Sequence, residues 1–548
     1  MSSETEILGF WPTQVSYQQL LRWTNLAVLV GFYYACKVIY RLYFSPLSHI
    51  PGRRLAAVTN LYACYYDLIC GGQYIWEIEK MHQQYGTPPP SPLLQPLTPL
   101  GPIIRITPDE VHINDHAFID TLFSGPGHQR EKGRRTLNGL GSSPTAIGTR
   151  SHTLHKARRA ALNPFFSSKN IRRLEPMVHE VLSQIFQRLD AAKNTGKEVN
   201  MSLLYRAATH DLIADYAFGQ GSICFSREDL NQPYFQANHE MILTWYVGCY
   251  MPWFSQVVRK LPVAAVKVLV PTAKLFIDMI QTATDKIKKI KEGQSKGEFL
   301  DSERQTIFHG LLSSSLPEPE KDPARLAEEA SVLLAAGTDS SANTLSAITF
   351  HLLSSPRILQ KLRKELETAI PDKNVRHFPS FSQVEQLPYL SAIIQEGLRR
   401  HPAVSGRQQR VAPSEDLVYT SPTGIAYPLP RGTTMSMNPV LLSRKEDIYP
   451  NPGEFRPERF IENPRLRDKQ FTFSRGSRMC LGMQLAYQEM YVILAGLFGR
   501  FDGGEGGEGG EWLQLYKTDL TDVEIVRDLV TENIRDGSVG VRVLVKGC

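Results

Sequence analysis

Phe473-Ser-Arg-Gly476-Ser-Arg478-Met-Cys480-Leu-Gly482 sets one cysteine in a glycine-punctuated loop, with an arginine two residues before it. The run that follows, Met483 to Leu497, is rich in helix-forming residues. A thiolate presented by such a loop can serve as the axial ligand of a haem iron. Gly476 and Gly482 would let the backbone turn sharply and approach a flat macrocycle. Arg478 would reach a haem propionate, and nearby amide N–H groups would hydrogen-bond the sulfur and tune it. The plain alternative is a buried cysteine in an ordinary loop. Five residues held in one fixed spacing, Phe473, Gly476, Arg478, Cys480 and Gly482, weigh against it.

Three further signals lie upstream. Asp322-Pro323 reads as an N-cap followed by proline at the first helical position. Nothing from there to Ser355, just before Pro356, must break a helix. Such a helix runs about 48 Å, enough to cross a large domain. Ala330, Leu334, Gly337, Ser341, Leu345 and Ile348 fall on one of its faces. Midway sits Ala336-Gly337-Thr338-Asp339-Ser340-Ser341, an acid followed by an alcohol beside an internal glycine. That glycine costs roughly 1 kcal/mol against alanine, so packing or function must require it.

The second signal is Glu396-Gly-Leu-Arg399, within a helical stretch from Tyr389 to His401. Glutamate and arginine at i and i+3 face the same way on a helix. As a surface pair they would contribute only ~0–1 kcal/mol. The third signal is Phe455-Arg456-Pro457-Glu458-Arg459-Phe460, shortly before the cysteine loop.

Taken together, these stretches resemble the cytochrome P-450 monooxygenases, whose haem loop reads Phe-x-x-Gly-x-Arg-x-Cys-x-Gly. The resemblance covers roughly residues 45 to 548. It implies a mainly α fold, with a long central helix over the haem and small β-sheets. It implies Cys480 as the axial ligand of a haem b iron, with Phe473, Gly476, Arg478 and Gly482 completing the loop. It also implies that Asp339 feeds protons and that Ser340 holds dioxygen and a water by hydrogen bonds. Serine stands at 340 where the family most often has threonine. It keeps the hydroxyl but lacks the methyl that stiffens χ1. Glu396, Arg399 and Arg459 would form a buried structural network. In the stretch His155-Lys-Ala-Arg158-Arg159, His155 takes the place of the family's tryptophan and Arg159 that of its arginine, both directed at a propionate. Histidine and arginine both donate hydrogen bonds, so the role is chemically preserved. Arg407 or Arg410 would add a further donor, and the sequence does not choose between them. Leu515 to Glu524 looks like fungal microsomal members of secondary metabolism, similar to trichodiene oxygenase.

Composition fits this reading. The chain has 548 residues, 42% of them hydrophobic, and a net charge of +6. No Lys/Arg run forms a stripe for nucleic acid. Seven cysteines without regular spacing form no disulfide framework, and no Cys-x-x-Cys pair points to zinc. Leu26 to Phe44 is a greasy stretch interrupted by Lys37, about as long as hydrocarbon requires. Glu4 and Glu6 precede it, while Lys37, Arg41, Arg53 and Arg54 lie on its C-terminal side. The positive-inside rule then predicts a lumenal tail and anchor over residues 1–44 and a cytosolic catalytic domain over 45–548. The expected location is the endoplasmic reticulum membrane, crossed once, with membrane lipid as a contact. A proline-rich insert at 87–101 and a glycine-rich linker at 503–510 interrupt the domain.

Short strands are expected at 103–106, 417–419 and 539–545. No Gly-x-Gly-x-x-Gly dinucleotide site is present, so electrons from NADPH would come through a separate NADPH-cytochrome P-450 reductase, with cytochrome b5 as a second donor. Arg465, Arg467, Lys469 and Arg475 would form the docking patch. The walls of an apolar substrate pocket are expected at 332–336, 403–405, 121–149 and 235–253, with a terpene or polyketide as the ligand. Two other functions compete: a reductase-independent haem-thiolate isomerase or dehydratase, and a non-catalytic haem-binding membrane protein. The Asp339-Ser340 pair weighs against both.

Overall fold

The computed structural model describes residues 17–86, 102–141, 143–193, 195–269, 273–296, 306–370, 378–499, 512–531 and 534–546. The inserts at 87–101 and 503–510 lie outside them. Seven helices matter for the site: α1 (Tyr17–Ile39), α2 (His152–Leu162), α3 (Met201–Phe218), α4 (Gln232–Tyr250), α5 (Pro323–Ser354), α6 (Pro388–Arg400) and α7 (Met483–Gly499). Among the described residues, nine short strands make three sheets: β1 (Ile103–Thr107), β2 (Glu110–Ile113), β3 (Glu198–Asn200), β4 (Gln408–Val411), β5 (Leu417–Thr420), β6 (Ala426–Leu429), β7 (Thr434–Met437), β8 (Leu513–Leu515) and β9 (Arg542–Val545). Their orders are β1-β2-β7-β4, β3-β9-β8 and β5-β6.

The chain starts and stops α5 where its chemistry dictates. The Asp322 carboxylate accepts from Ala324 N and Arg325 N at 3.0 and 3.1 Å, and Pro323 has no N–H to satisfy, so the helix start is well capped. The 32-residue helix ends at Ser354, two residues before Pro356. A proline disfavours helical geometry in the residue before it. Helix α3 lies along α5, and a Cβ added at Gly337 would come within 3.1–3.3 Å of Ile213. Close packing of α3 therefore accounts for that internal glycine. The same large core takes in α6 and α7 through Leu390, Ile393, Ile394 and the run Met490 to Phe498.

Helix α1 stands apart, with Trp23, Leu26, Phe32 and Tyr33 exposed. The stretch Arg22–Phe44 is long and apolar enough to cross a membrane. Its C-terminal end is tied to the body. The buried Arg105 on β1 donates to the Arg41 carbonyl at 2.8 Å, and Arg41 donates to the Val58 carbonyl at 2.6 Å.

Strand boundaries differ by a few residues from the sequence reading. The strand expected over 539–545 is confined to Arg542–Val545, where it pairs with both β3 and β8. Gly540, with φ of +88°, precedes it and turns the chain in.

Candidate haem-thiolate site

The cysteine loop is built by close backbone approach. Gly476 has a φ of +72°, and a Cβ there would fall 2.2 Å from the carbonyl oxygens of Phe123 and Ser124. No other residue fits. The sharp turn at Gly476 thus seats the loop against the 119–124 segment rather than against a macrocycle. Gly482 is different. It has no positive φ, and a Cβ there would meet nothing within 4 Å. Cys480 N donates to the Phe473 carbonyl at 2.9 Å and Met479 N to that of Gly476 at 3.1 Å, which closes the loop on itself.

Cys480 is exposed, yet desolvation is the largest influence on its thiol and raises its pKa. The Gly482 amide and the Arg159 charge oppose that shift and favour the thiolate. A coordinated metal ion deprotonates a thiol outright.

Arg159, on α2, donates through Nη1 to the Met479 carbonyl at 2.8 Å and through Nε to Asn163 Oδ1 at 2.8 Å. Arg478 is buried and donates to three carbonyls, those of Arg130 (3.1 Å), Thr149 (2.8 Å) and Arg150 (2.7 Å). His155, one turn before Arg159 on α2, is buried. Its pKa is pushed down to about 3, by desolvation first and then by Arg478, Lys132 and Arg159. Burial also lowers Arg478 to about 10 and Arg410 to about 9, and it drives Lys132 well below the usual lysine value. Arg478 further depresses both Arg410 and Lys132. Glu131 is the one carboxylate that raises Arg478.

Lys132, Arg410 and Arg478 thus form a desolvated basic cluster beside the cysteine loop, with the neutral His155 as a further hydrogen-bonding group. It calls for an anion, and the paired carboxylates of a haem edge match it in charge and hydrogen-bond capacity. The choice between Arg407 and Arg410 falls to geometry. Arg410 donates to Ser474 Oγ of the loop at 3.2 Å. Arg407 turns away to Asp67 and Glu110, at 3.7 and 3.5 Å. Lys132 was not singled out in the sequence, and only its later proximity to Arg410 and Arg478 marks it.

In the middle of α5, Ala335 and Ala336 are exposed although their helix crosses the core. Ser340 Oγ donates to the Ala336 carbonyl at 2.7 Å. Asp339 pairs with Arg206 of α3, Oδ1 to Nε at 3.2 Å. Desolvation raises its pKa, while Arg206 and His239 pull it down. Acid and alcohol are therefore adjacent but differently engaged. Of the expected pocket walls, Ser405 is fully buried and its Oγ donates to Asp528 at 2.9 Å, so it does not line open space. Trp253 points outward, at 61% exposure.

The structure brings Glu396, Arg399 and Arg459 together behind the loop. Arg399 donates to both Glu396 oxygens at 2.8 Å, and Arg459 Nε donates at 3.1 Å. Arg456 N adds a bond at 2.8 Å. The two arginines also hold the carbonyls of Ser443, Pro450, Asn451 and Glu454. Beneath the loop, Arg467, Arg475, Phe473, Met483 and Tyr487 line a cavity of about 530 Å³. Arg475 is not a free cation there, since it pairs with Asp120 at 2.8 Å.

Comparison with known proteins agrees with this geometry. The family model described as Cytochrome P450 matches residues 117–508. Cytochrome P450 monooxygenase tpcC of Cochliobolus heterostrophus is 34% identical over 95% of this chain and 97% of its own length. Cytochrome P450 monooxygenase astB of Talaromyces wortmannii is 35% identical, again over 95% and 97%. The N-acetyltryptophan 6-hydroxylase ivoC of Emericella nidulans is 33% identical over 94% of this chain and 96% of its own length. A mostly helical fold with small sheets, a cysteine in a self-bonded loop, a basic cluster beside it and an acid–alcohol pair on the long central helix are thus joined to end-to-end similarity, and the chain belongs to the cytochrome P450 family of haem-thiolate monooxygenases.

Proposed function

We propose that this chain inserts one oxygen atom from O2 into an apolar terpenoid or polyketide of fungal secondary metabolism. On this reading it works from the endoplasmic reticulum membrane, anchored by one span with the catalytic domain in the cytosol. The reading is carried by one chain holding both Cys480 in its self-bonded loop and the Asp339-Ser340 pair on α5. Neither an isomerase nor a haem carrier needs that acid–alcohol pair.

When bound, haem supplies the oxidative chemistry, with electrons from a separate reductase. The protein's own residues do the rest. Cys480 would ligate the haem iron. Lys132, His155, Arg159, Arg410 and Arg478 place cationic or hydrogen-bonding groups at the anionic edge. Phe473 walls the loop, packing on Tyr487 with ring centroids 5.3 Å apart. Gly476 seats the loop, and Gly482 leaves it unobstructed. Asp339 relays protons from the side of Arg206, and Ser340 presents a hydroxyl toward the exposed Ala335–Ala336 face. Glu396, Arg399 and Arg459 brace the approach to the loop. Cationic residues near the cavity beneath the loop, Arg465, Arg467 and Lys469, favour an acidic partner, a reductase or cytochrome b5. Arg475 contributes less, because Asp120 already offsets its charge.

A relative from Phomopsis amygdali, 31% identical, is named fusicoccadiene C-8 hydroxylase, which supports an apolar substrate here. The test is coexpression with a reductase in a heterologous host that is fed candidate terpenoids and polyketides. Product mass should rise by one oxygen atom and depend on NADPH. A rearranged product of unchanged mass, formed without NADPH, would replace oxygen insertion with isomerisation.

A further inference from the structure

Four residues on one face of α3, at i, i+3, i+4 and i+7, meet three successive residues of α5. Arg206 pairs with Asp339 at 3.2 Å, and Ile213 packs where Gly337 leaves room. Between them, Thr209 and His210 both reach Thr338. Thr209 Oγ1 lies 2.9 Å from the Thr338 carbonyl and 2.9 Å from that of Tyr205, so its one proton is shared between two helices. His210 Nδ1 lies 3.2 Å from the Thr338 hydroxyl. Thr209, His210 and Thr338 are at most 5% exposed.

The direction of the His210 bond follows from its partner. Thr338 Oγ1 donates to the Leu334 carbonyl at 2.7 Å, which uses its only proton. It can therefore only accept from the ring, and Nδ1 carries the hydrogen. Burial pushes the imidazole pKa down to about 4, so the ring is neutral and held in one tautomer. Tyr234 and Phe235 of α4 fix the ring plane, with centroids 5.0 and 5.8 Å from its own. Helix α5 needs such a hold at this level. Gly337 weakens it, and the Thr338 and Ser340 hydroxyls each bond back to the carbonyl four residues earlier at 2.7 Å. Such back-bonds slightly destabilise a helix and often bend it. A leucine or phenylalanine would fill the His210 position without burying a polar ring, so packing alone does not account for histidine there.

We propose that His210 is a positioning residue for the Asp339–Ser340 pair: its Nδ1–H fixes Thr338, and Thr338 sets where the acid and the alcohol stand. Thr209 holds the carbonyl of the same residue, so Thr338 is gripped at backbone and side chain from one neighbouring helix. The ring also rests on Tyr234 and Phe235, so a displacement of α4 reaches the acid–alcohol turn through one imidazole. The inference rests on the monooxygenase reading for its purpose but not for its first test.

That test is hydrogen–deuterium exchange of the full chain, read on peptides covering 334–342. His210→Phe keeps an aromatic ring in the stack and removes the N–H. Thr338→Val removes the accepting hydroxyl at nearly constant shape. Each should speed exchange in that stretch by roughly five- to tenfold and leave peptides from α7 unchanged. His210→Asn puts an amide N–H in the place of Nδ1–H and should exchange close to wild type. The second arm measures haem content, NADPH use and hydrogen peroxide with a reductase. His210→Phe and Thr338→Val should load haem normally and release several-fold more of their electrons as peroxide, and His210→Asn should reverse this. Wild-type exchange in both His210→Phe and Thr338→Val would overturn the proposal. So would faster exchange with unchanged peroxide yield, because the bond would then serve stability alone. If wild type binds no haem, the monooxygenase reading fails in this protein, while exchange still decides whether His210 holds Thr338.

Discussion

Arg159 holds the backbone of the cysteine loop, with its Nη1 donating to the carbonyl of Met479, the residue before Cys480, at 2.8 Å. Burial lowers the Arg159 pKa and the nearby Cys480 raises it, so its charge is bound up with the thiolate. Arg159→Ala should leave a charge-assisted bond unmade, at about 1.5–3 kcal/mol. The expected outcome is lower haem occupancy and a broadened carbon-monoxide band. Arg159→Lys keeps the charge but loses the planar fork, so it should recover only part of the occupancy. Full occupancy in Arg159→Ala, measured by haem-to-protein ratio, would show that the loop stands without it.

Cys480 is the only cysteine in the loop. Cys480→Ala should abolish the red-shifted Soret band that carbon monoxide gives with thiolate-ligated haem. A persisting band together with turnover would move the ligand elsewhere.

The Glu396 network is structural. Its three side chains are at most 3% exposed and bond to one another and to backbone carbonyls. Glu396→Ala strands two buried arginines. Breaking a buried pair by removing one partner costs about 3–5 kcal/mol. The variant should be recovered haem-free or insoluble. A haem-loaded variant with an unchanged unfolding midpoint would contradict this.

How much of this was legible in the sequence depended on whether the cause was local. The start of α5 was, because Asp322 and Pro323 act within one turn. The i, i+3 pairing of Glu396 and Arg399 was too. Arg478 was not. Its partners are three carbonyls from residues 130, 149 and 150, set by how the chain folds back and not by any residue type. Gly476 was legible as a necessary glycine, but what it approaches is the 123–124 backbone. Lys132 carries no motif of its own.

Buried histidines predict acid lability. His82, His155 and His351 are each held neutral, with pKa values near 3 caused first by desolvation. His351 and His401 share a hydrogen bond, Nε2 to Nε2 at 2.8 Å, which requires one ring to accept. The unfolded chain protonates these groups near pH 6.5, while the folded chain resists until about pH 3. Unfolded chains therefore bind more protons across that window, and stability falls as pH is lowered through it. Denaturant midpoints should drop steadily below about pH 6.5. His351→Gln should show a shallower drop, because one titrating group is gone. An unchanged slope would mean that the pair is not buried neutral in solution.

The last prediction concerns Ser340 and Asp339. The Ser340 hydroxyl donates to the Ala336 carbonyl at 2.7 Å, so its oxygen is left free to accept from a neighbouring water or ligand. Ser340→Ala loses one oxygen atom and should still bind haem and substrate. It should consume NADPH but release more of the electrons as hydrogen peroxide. Ser340→Thr restores a χ1-restricted alcohol that can make the same back-bond, so coupling should hold or improve. Asp339 is already offset by Arg206 at 3.2 Å, and two outcomes follow. Asp339→Asn cannot relay a proton as a carboxyl does and should slow turnover by about 10²-fold with little change in substrate affinity. Arg206→Ala removes the charge that opposes desolvation, so the Asp339 pKa should climb further and turnover should fall without loss of haem. Product and peroxide per NADPH, measured for all four variants, decide the matter. Unchanged coupling in Ser340→Ala together with unchanged turnover in Asp339→Asn would remove this pair from proton delivery.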